Sequence, residues 1–433
     1  MDPLRDSLER ITATAALCNA PTWLVEELGN PKAVIEMKVR AMTRTGKQSF
    51  DAVRVHQTNP YPTGTPHPFK GGLRYMWYPS SEEMIRAMRA LANDMTLKNA
   101  LYALPFGGAK GCLLIKPEEF TEEELEEITK ELTFEALCKN TLDPDGDVWG
   151  PDYATDAKTM LWIYIQYGRF NQLLHRPNPS AVVTGKPIEF DGCPGREDAT
   201  ARGGLILIQE ILKPQGVPRI AVQGFGNVGS NFCRLVESDP YWNKGIVVAV
   251  SDATGGVYNP HGLLFEELIA HHSIHKGFTG CSLGDFIKPE EIIYAGEYDI
   301  FVTAAKEGLI DETNARLLKT KHVVELGNSA ITLEADHILD ERGVTVLPDI
   351  MANAGGVIVS SFEWRRNRGD IYHAVDLALL EQWVYDELIK ILRARTKSVL
   401  RTQTEFNTTL RTAAYITALR QLEFLLRAKH GYR

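Results

Sequence analysis

The sequence predicts an α/β protein with two domains, one of them built on a doubly wound parallel sheet. The chain has 433 residues, which is too many for a single hydrophobic core. From residue 219 onward, short apolar segments alternate with longer segments of helical character, as in repeated strand–helix–strand units. Residues 180–203 are rich in glycine, proline and small polar side chains, which indicates the crossing between the domains.

The N-terminal part of the chain combines helices and strands. It begins with a segment rich in leucine and glutamate, which predicts short helices. Ser80 and the acidic residues after it predict the start of a helix that runs to about residue 103. Thr121 and Glu124 have the spacing of a capping box, which predicts another helix. Strands are predicted at residues 34–43 and about 50–55, and loops at residues 59–68 and 143–152.

The second half of the chain supplies the strands of the doubly wound sheet. A tail from residue 374 to 433 predicts two or three amphipathic helices. The candidate strands are residues 219–223, 246–251, 299–303, 322–325 and 344–347.

Composition excludes several classes of protein. The formal net charge of −9 argues against nucleic acid or an anionic membrane as the main partner. The longest apolar run, residues 246–250, has the length of a strand, so no membrane-spanning segment is predicted. The first ten residues alternate acidic and basic side chains and resemble neither a signal nor a transit peptide. The six cysteines are scattered without a CxxC pair, which predicts no metal site and a reducing, cytoplasmic location.

A glycine-rich turn follows the first strand of the second half. Gly224 permits a tight turn, Gly226 lets the backbone approach a pyrophosphate, and Gly229 lets helix and strand pack closely. The start of the following helix supplies donors and partial positive charge for phosphates. This pattern predicts a Rossmann-type domain that binds a dinucleotide through Gly224, Phe225, Gly226, Asn227, Val228 and Gly229.

An acidic residue at the end of the next strand bears on the choice of cofactor. Asp252 lies 23 positions beyond Gly229, where an aspartate can bind the ribose hydroxyls of NAD and repel an additional phosphate. No lysine or arginine follows at residues 253–256. The sequence therefore predicts NAD rather than NADP. The alternative is that Asp252 only forms a turn before the glycines.

Three lysines and an aspartate stand in unusual surroundings. Lys70 and Lys110 each lie among glycines in segments that look like turns, where an ammonium and a backbone could approach one ligand. Lys98 continues the apolar stripe of its helix, so it either extends to solvent or binds an anion. Asp152 lies in a segment that predicts a loop. Residues 348–360 follow a strand and so lie where open α/β sheets bind ligands, although paired glycines also suit close helix packing.

Together these segments resemble the glutamate/leucine/phenylalanine/valine dehydrogenase family, and within it the hexameric glutamate dehydrogenases. The resemblance runs from about residue 54 to the C-terminus. Its marks are KGGLR at 70–74, MTLK at 95–98, PFGGAKG at 105–111, PD at 151–152, TGKP at 184–187, GFGNVG at 224–229 and PDIMANAGGVIVSSFEW at 348–364.

The resemblance implies roles for individual residues. Lys98 matches the residue that binds the substrate α-carboxylate, Lys110 the catalytic lysine and Asp152 the aspartate that transfers protons. Lys70 and Ser360 match the pair that binds the side-chain carboxylate of glutamate, whereas relatives specific for leucine or phenylalanine have an apolar residue in place of Lys70. Further residues matched to the substrate are Gly71, Gly150, Arg196 and Val357, and those matched to the cofactor are Thr184, Thr200, Ala304, Asn328 and Asn353.

The resemblance also implies an activity and an assembly. It implies oxidative deamination of L-glutamate to 2-oxoglutarate and ammonium, and the reverse reaction, in a homo-hexamer. Residues 1–183, joined by a C-terminal helix at about 408–433, are expected to bind substrate and mediate oligomerisation. Residues 184–407 are expected to form the dinucleotide-binding domain. The chain departs from the family at Trp149-Gly150, where Pro-Ala is usual. A dehydrogenase of another amino acid, of the Leu/Phe/Val type, and a non-catalytic regulatory paralogue therefore remain as alternatives.

Overall fold

Two units make up the part of the chain that the computed structural model describes, residues 2–239, 242, 245–371 and 376–431. The N-terminal unit comprises Asp2–Pro194, Val357–Val384 and Tyr415–Arg433. The central unit comprises Gly195–Gly356 and Tyr385–Ala414. Three helices near the C-terminus contribute residues to both units, and they are α12 (Gly355–Asn367), α13 (Leu377–Phe406) and α14 (Leu410–His430).

The N-terminal unit contains a five-stranded mixed sheet with strand order β1-β2-β4-β3-β5. Strands β4, β3 and β5 are parallel to one another, while β1 and β2 form an antiparallel pair at one edge. The elements are α1 (Pro3–Leu17), α2 (Thr22–Gly29), β1 (Ala33–Thr43), β2 (Gly46–His56), β3 (Phe69–Met76), α3 (Ser81–Leu101), β4 (Gly107–Leu114), α4 (Glu122–Cys138), β5 (Asp147–Pro151) and α5 (Ala157–Leu174).

Local signals define where the helices of this unit begin. The Ser80 hydroxyl accepts a hydrogen bond from the backbone N–H of Glu83 at the start of α3. Thr121 and Glu124 form the reciprocal capping box that the sequence predicts for α4. A side-chain oxygen at this position satisfies an N–H that the helix itself cannot pair, so both predicted starts are confirmed.

Helices cover both faces of the five-stranded sheet. Met84 and Met88 of α3 pack on one face, against Cys112 of β4. The other face packs against α4 and α5, and the fully buried Trp149 of β5 lies in this core. Because successive side chains of a strand point to opposite faces, residues 108, 110 and 112 of β4 share the α3 face.

Two sequence-based expectations for this unit are wrong. Lys70 and Lys110 do not lie in turns: they belong to β3 and β4. The predicted loop at residues 143–152 contains β5. Glycine is normally depleted in strands. Here the glycines are required because neighbouring atoms approach closely: a Cβ at Gly71 would lie 1.6 Å from the carbonyl oxygen of Ala109 on β4.

The central unit contains a seven-stranded sheet with strand order β12-β11-β10-β6-β7-β8-β9. The five strands from β12 to β7 are parallel, and all five lie where the sequence predicts strands. The elements are α6 (Ala199–Leu207), β6 (Arg219–Gln223), α7 (Asn227–Ser238), β7 (Ile246–Asp252), β8 (Gly255–Tyr258), α8 (Phe265–His275), β9 (Asp285–Ile287), β10 (Tyr298–Thr303), α9 (Glu312–Leu317), β11 (Thr320–Glu325), α10 (Leu333–Glu341), β12 (Thr345–Leu347) and α11 (Asp349–Ala352).

The strand order creates a switch point beside β6. The chain passes from β6 to β7 on one side and returns to β10 on the other. In open sheets of this kind, ligands bind outside the carboxyl ends of the strands at such a point. The predicted α/β fold, with a Rossmann-type sheet and a separate N-terminal α/β domain, is therefore confirmed. Strands β8 and β9, which add an antiparallel edge, were not predicted.

The predicted C-terminal tail consists of helices α13 and α14; its residues 374, 375, 432 and 433 lie outside the described part of the chain. Within the residues that the structure describes, no helix combines the length and apolar character needed to cross a bilayer.

Candidate active site

Three parallel strands of the N-terminal unit carry most of the predicted catalytic and substrate residues. Lys70 lies on β3, Lys110 on β4, and Asp152 directly after β5. Register places Lys70 opposite Gly108 of β4 and Val148 of β5. Lys70 and Lys110 therefore point to the face of the sheet that α3 covers.

Lys110 and Asp152 are in direct contact. The Lys110 ammonium donates a hydrogen bond to Oδ2 of Asp152, and the Lys110 side chain is only 3% exposed. Arg74 of β3 donates from Nε to the other oxygen, Oδ1. One carboxylate is thus held between two buried cations. Arg74 ends the KGGLR segment, but the sequence does not identify Asp152 as its partner, because the two residues are 78 positions apart.

The surroundings shift the proton affinity of both partners. Burial is the main cause that lowers the pKa of Lys110, and the charges of Arg74 and Lys98 lower it further, against the opposing effect of Asp152. Burial opposes ionisation of Asp152, but the charges of Arg74 and Lys110 outweigh it and hold the pKa of this carboxyl below its usual range. The result is a lysine that releases its proton more readily than a surface lysine does.

Lys98 is the predicted α-carboxylate ligand on helix α3. Its residue is 5% exposed, so the side chain does not extend into solvent as one of the alternatives required. Its charge is one of the causes that lower the pKa of Lys110. A buried ammonium is stabilised by negative or polar groups beside it, so this position is compatible with the predicted anionic ligand.

Lys70 lies among Gly150, Trp149 and Thr184. Its Nζ is 3.4 Å from the carbonyl oxygen of Trp149, and the residue is 3% exposed. A Cβ added at Gly150 would be 2.9 Å from Nζ of Lys70 and 3.2 Å from Oγ1 of Thr184. Because residue 150 has no side chain, the Lys70 ammonium has room to occupy this position.

Glycines of β3 also leave room for Asp152, the predicted catalytic aspartate. A Cβ at Gly72 would lie 2.7 Å from Cβ of Asp152, too close for any side chain. The adjacent Gly71 has no room either, because β4 approaches it closely. The KGG sequence thus has a steric cause: it lets Asp152 and the backbone of β4 lie against β3.

Helix α12 brings Ser360 to the same unit and is fixed by a buried ion pair. Ser360 is 3% exposed, and Glu363 lies one turn further along the helix. Glu363 pairs with Lys186 at 2.7 Å, with both side chains 0% exposed, and accepts a hydrogen bond from the backbone N–H of Gly185. The predicted segment around Thr184 is thereby fastened to the helix that carries Ser360. Val357 is the first residue of α12 that belongs to this unit.

Supporting contacts hold β3 and β5 from the opposite face of the sheet. Arg54 is fully buried, forms an ion pair with Asp147, and donates to the carbonyl oxygens of Gly71 and Gly72. Its guanidinium also lies over the Trp149 ring. Removing one partner of such a pair leaves an uncompensated buried charge, so these residues stabilise the strands that carry the site.

The central unit carries the predicted dinucleotide residues at the switch point. Gly224 has φ +102°, and a Cβ at Gly229 would lie 1.8 Å from the carbonyl oxygen of Gly224, so both positions need glycine. Ala304, which follows β10, donates its N–H to the Gln223 carbonyl. Val228 lies in the first turn of α7, and Phe225 is buried beside the turn.

This turn fits a dinucleotide. Gly226 and Asn227 are exposed at the N-terminus of α7, and no heavy atom lies within 4 Å of the position that a Cβ of Gly226 would occupy. Unpaired backbone N–H groups at such a helix start bind phosphate oxygens. Among the described residues, no group of three histidine, cysteine, aspartate or glutamate side chains is arranged to hold a metal ion.

The two predicted asparagines of the central unit are in contact. The Asn353 amide donates to Oδ1 of Asn328 at 2.9 Å. Buried carboxylates hold the segments around them: Glu325 accepts from the backbone of Ile331, and Asp349 from the backbone of Ser329. Sequence reasoning did not identify these two acids as supports.

Arg196 and Thr200 lie together beside the start of α12. A Cβ at Gly356 would be 2.7 Å from Oγ1 of Thr200 and 3.6 Å from a guanidinium nitrogen of Arg196. The predicted residues thus form two groups, one in each unit, and Arg196 belongs to the central group although its predicted ligand is the substrate.

Asp252 ends β7, and its two carboxylate oxygens have different partners. Oδ1 accepts from the backbone N–H and the hydroxyl of Thr254 at 2.7 and 2.6 Å, which is the turn that the alternative interpretation expects. Oδ2 is 3.0 Å from Nε2 of His272 on α8. No motif in the sequence indicates this contact, because the two residues are brought together only by the tertiary structure.

Comparison with known proteins agrees with this architecture. The family model of Glutamate/Leucine/Phenylalanine/Valine dehydrogenase matches residues 192–429, and that of the Glu/Leu/Phe/Val dehydrogenase dimerisation domain matches residues 31–169. The chain is 36% identical over 432 residues to a glutamate dehydrogenase of Thermotoga maritima, covering 98% of each chain.

Two solved structures are similar over almost the whole chain. One is the hetero-hexameric glutamate dehydrogenase from Thermus thermophilus in its Leu-bound form, with a TM-score of 0.87, 28% identity and 99% of this chain and 98% of that chain covered. The other is glutamate dehydrogenase from Peptoniphilus asaccharolyticus, with a TM-score of 0.79, 28% identity and full coverage of both chains. The chain therefore belongs to the glutamate/leucine/phenylalanine/valine dehydrogenase family and is an amino acid dehydrogenase, an oxidoreductase of a family that uses NAD(P).

Proposed function

We propose that this enzyme interconverts L-glutamate and 2-oxoglutarate plus ammonium, with NAD preferred over NADP. The observation that carries the proposal is the buried Lys70 ammonium beside Gly150 and Thr184. An ammonium in such a position would be costly opposite an apolar side chain, whereas the side-chain carboxylate of glutamate would compensate it. The names of the similar proteins from Thermotoga maritima and Peptoniphilus asaccharolyticus support the same substrate.

In the proposed reaction, buried cations bind the two carboxylates of the substrate. Lys98 binds the α-carboxylate, and Lys70 with Ser360 binds the side-chain carboxylate. Gly71, Gly150, Arg196 and Val357 complete the proposed substrate contacts. When held by the residues of the glycine-rich turn, NAD would supply the redox chemistry, as the acceptor of hydride from the substrate Cα.

Lys110 and Asp152 carry the proposed proton transfers. Lys110, whose pKa is lowered chiefly by burial, takes a proton from the water that attacks the imino carbon. Asp152 is ionised at rest because Arg74 and Lys110 lower its pKa, so it can accept a proton from the substrate nitrogen transiently and release it to solvent. Direct contact between the two side chains suits the exchange of a proton within the pair.

The proposed cofactor site lies at the glycine-rich turn and its neighbours. Residues 224–229 and Ala304 bind the pyrophosphate, Thr200, Asn328 and Asn353 serve the nicotinamide end, and Asp252 binds the adenosine ribose. Thr184, a residue of the N-terminal unit, is a further proposed cofactor contact. The NAD preference is supported by Oδ2 of Asp252. This oxygen takes no part in the turn with Thr254, so it can accept a hydrogen bond from the ribose in addition to its contact with His272.

We also propose a homo-hexamer in the cytoplasm. Among the residues that the structure describes, no strand pairs with the outer edge of β1, and an exposed edge of this kind is normally covered by another element or another chain. The similar protein from Thermus thermophilus is described as hetero-hexameric, and the family model includes a dimerisation domain. All six cysteines are free thiols, as suits a reducing compartment.

A dehydrogenase of another L-amino acid is the second candidate. The observation that favours it is Gly150, which enlarges the surroundings of Lys70 relative to the alanine usual in the family. Steady-state kinetics with L-glutamate, L-leucine and L-phenylalanine, each with NAD and NADP, separates the two candidates. Glutamate with NAD is expected to give the highest kcat/KM. A higher value for leucine or phenylalanine would establish the second candidate instead.

A further inference from the structure

The contact between Asp252 and His272 joins two segments of the central unit that are 20 residues apart in sequence. Nε2 of His272 lies 3.0 Å from Oδ2 of Asp252, and the two side chains are 27% and 16% exposed. Both side chains are therefore accessible to a ligand. They are also shielded enough from solvent for the hydrogen bond between them to contribute to their orientation.

Further contacts fix the histidine in this position. The His272 ring centroid lies 5.2 Å from that of Phe225, the residue between the first two glycines of the turn. It lies 5.3 Å from that of Phe278, whose backbone N–H donates to Oγ1 of Thr254. Helix α8 and the turn after it are thus attached to the glycine-rich turn and to the Asp252 turn together.

These contacts leave one direction on the Asp252 carboxylate for a ligand. A carboxylate has about four lone-pair directions. Thr254 occupies both on Oδ1, and His272 occupies one on Oδ2. The remaining lone pair, on Oδ2, can accept a hydrogen bond from a ribose hydroxyl. A 2′-phosphate has no proton to donate there at neutral pH and would meet a fixed negative charge.

From this geometry we infer that His272 is a positioning residue for cofactor selectivity: by holding Oδ2 of Asp252, it directs the remaining acceptor site to the adenosine ribose of NAD and against the 2′-phosphate of NADP. This inference rests on the proposed function, in which Asp252 binds that ribose. It adds a residue that lies outside the glycine-rich sequence and follows from the packing of α8 on β7.

The test compares His272→Leu, which removes the donor, with His272→Gln, whose amide nitrogen can take the place of Nε2. Kd for NADH is measured by fluorescence titration, and KM and kcat for NADH and NADPH by steady-state kinetics. His272→Leu should raise Kd and KM for NADH about three- to tenfold, as expected for the loss of one hydrogen bond. Its kcat and its NADPH parameters should change little, and His272→Gln should restore most of the NADH affinity.

Two backgrounds separate this inference from the proposed function. In Asp252→Ser, His272→Leu should add no further loss, because the histidine acts through the carboxylate. His275→Leu, at the exposed end of the same helix, is the matched control and should bind NADH normally. Equal losses for NADH and NADPH, unchanged NADH binding in His272→Leu, or a full additional loss in the Asp252→Ser background would overturn the inference.

A failure of the proposed function has a different signature. If the wild type prefers NADPH, or if Asp252→Ser binds NADH as well as the wild type does, Asp252 does not bind the ribose. The proposed role of Asp252 and the inferred role of His272 are then both refuted. If Asp252→Ser loses NADH affinity while His272→Leu does not, the role of Asp252 stands and only the role of His272 is refuted.

Discussion

Lys110 and Asp152 form an ion pair in which the lysine side chain is only 3% exposed. The pair is asymmetric, because Asp152 also accepts from Arg74 whereas burial disfavours the charged form of Lys110. Burial and the neighbouring cations Arg74 and Lys98 therefore destabilise the protonated form of Lys110, which favours release of its proton. This relationship supports the proposed role of Lys110 as the base, and the first two predictions follow from it.

Lys110→Ala is expected to abolish turnover while leaving the cofactor bound. Loss of a positioned base typically lowers the rate by ~10²–10⁴-fold. Except for Thr184, the residues proposed to bind NAD lie in the other unit, so NADH titration should give the wild-type Kd. A variant with near-normal kcat would remove Lys110 from the mechanism.

Arg74→Gln is expected to move the acidic limb of the pH profile of kcat/KM to higher pH. The charge of Arg74 lowers the pKa of Lys110, so its removal raises that pKa, and Lys110 then becomes neutral only at higher pH. Arg74→Lys, which keeps the charge, is the control and should shift the limb less. A lower rate with an unshifted limb would show that Arg74 only supports the fold.

Lys70→Leu is expected to lower kcat/KM for glutamate selectively. Loss of a charge-assisted hydrogen bond in a buried site costs about 1.5–3 kcal/mol, which corresponds to roughly ten- to a hundredfold. Norleucine should become a better substrate, because its side chain no longer faces a buried ammonium. The measurement is kcat/KM for both substrates in the wild type and the variant.

Ser360→Ala provides the companion to this experiment. It should shift selectivity in the same direction, and the double variant should show less than the sum of the two effects, because both groups contact one carboxylate. If Lys70→Leu harms glutamate and norleucine equally, Lys70 has a shared or structural role and the glutamate assignment loses its main support.

Gly150→Ala is expected to raise KM for glutamate. The added Cβ would lie 2.9 Å from Nζ of Lys70, which forces the ammonium to move from its present position. The flexible lysine can give way, so the protein should still fold. Gly168→Ala on α5 is the matched control, since nothing lies within 4 Å of its Cβ position, and its KM should equal that of the wild type. An unchanged KM in Gly150→Ala would contradict this prediction, because it would show that the Lys70 ammonium is not needed in its present position.

Glu325→Gln is expected to make stability less dependent on pH. Burial raises the pKa of Glu325 from 4.5 to about 7, with Asp349 and Asp336 adding to the shift and Arg411 opposing it. A raised carboxyl pKa stabilises the fold below pH 4.5, and this contribution is lost as pH rises through about 7. The wild type should therefore lose on the order of 3 kcal/mol over this range relative to the variant.

Urea unfolding at several pH values measures this difference. Arg411 also pairs with Asp336 and Asp349, so it keeps partners when Glu325 loses its charge. Glu341→Gln, an exposed change on α10, is the control for the loss of one negative charge. Parallel stability curves for the wild type and Glu325→Gln would contradict the prediction.

Local signals in the sequence were sufficient for several parts of the molecule. The capping box of Thr121 and Glu124, the turn from Gly224 to Gly229 and the five parallel strands of the central unit all depend on residues close together in the chain. Hydrophobic period, capping chemistry and the need for glycine act over a few residues, so they can be recognised without a structure.

The strands around the candidate site could not be predicted from local signals. Phe69–Met76, Gly107–Leu114 and Asp147–Pro151 contain glycines or prolines that normally indicate turns. They are strands because β3 lies between β4 and β5, and its glycines let Asp152 and the backbone of β4 approach. That requirement exists only once the three strands are side by side.

The sequence by itself determined the fold class, the family resemblance and the residue types that the chemistry needs. Only the tertiary structure decided which of those residues touch. Asp152 meets Arg74 across 78 residues, and Asp252 meets His272 across 20 residues. Such contacts depend on strand order and helix packing, which bring distant segments together, and hydrophobic burial drives that packing without specifying in the local sequence which polar groups will meet.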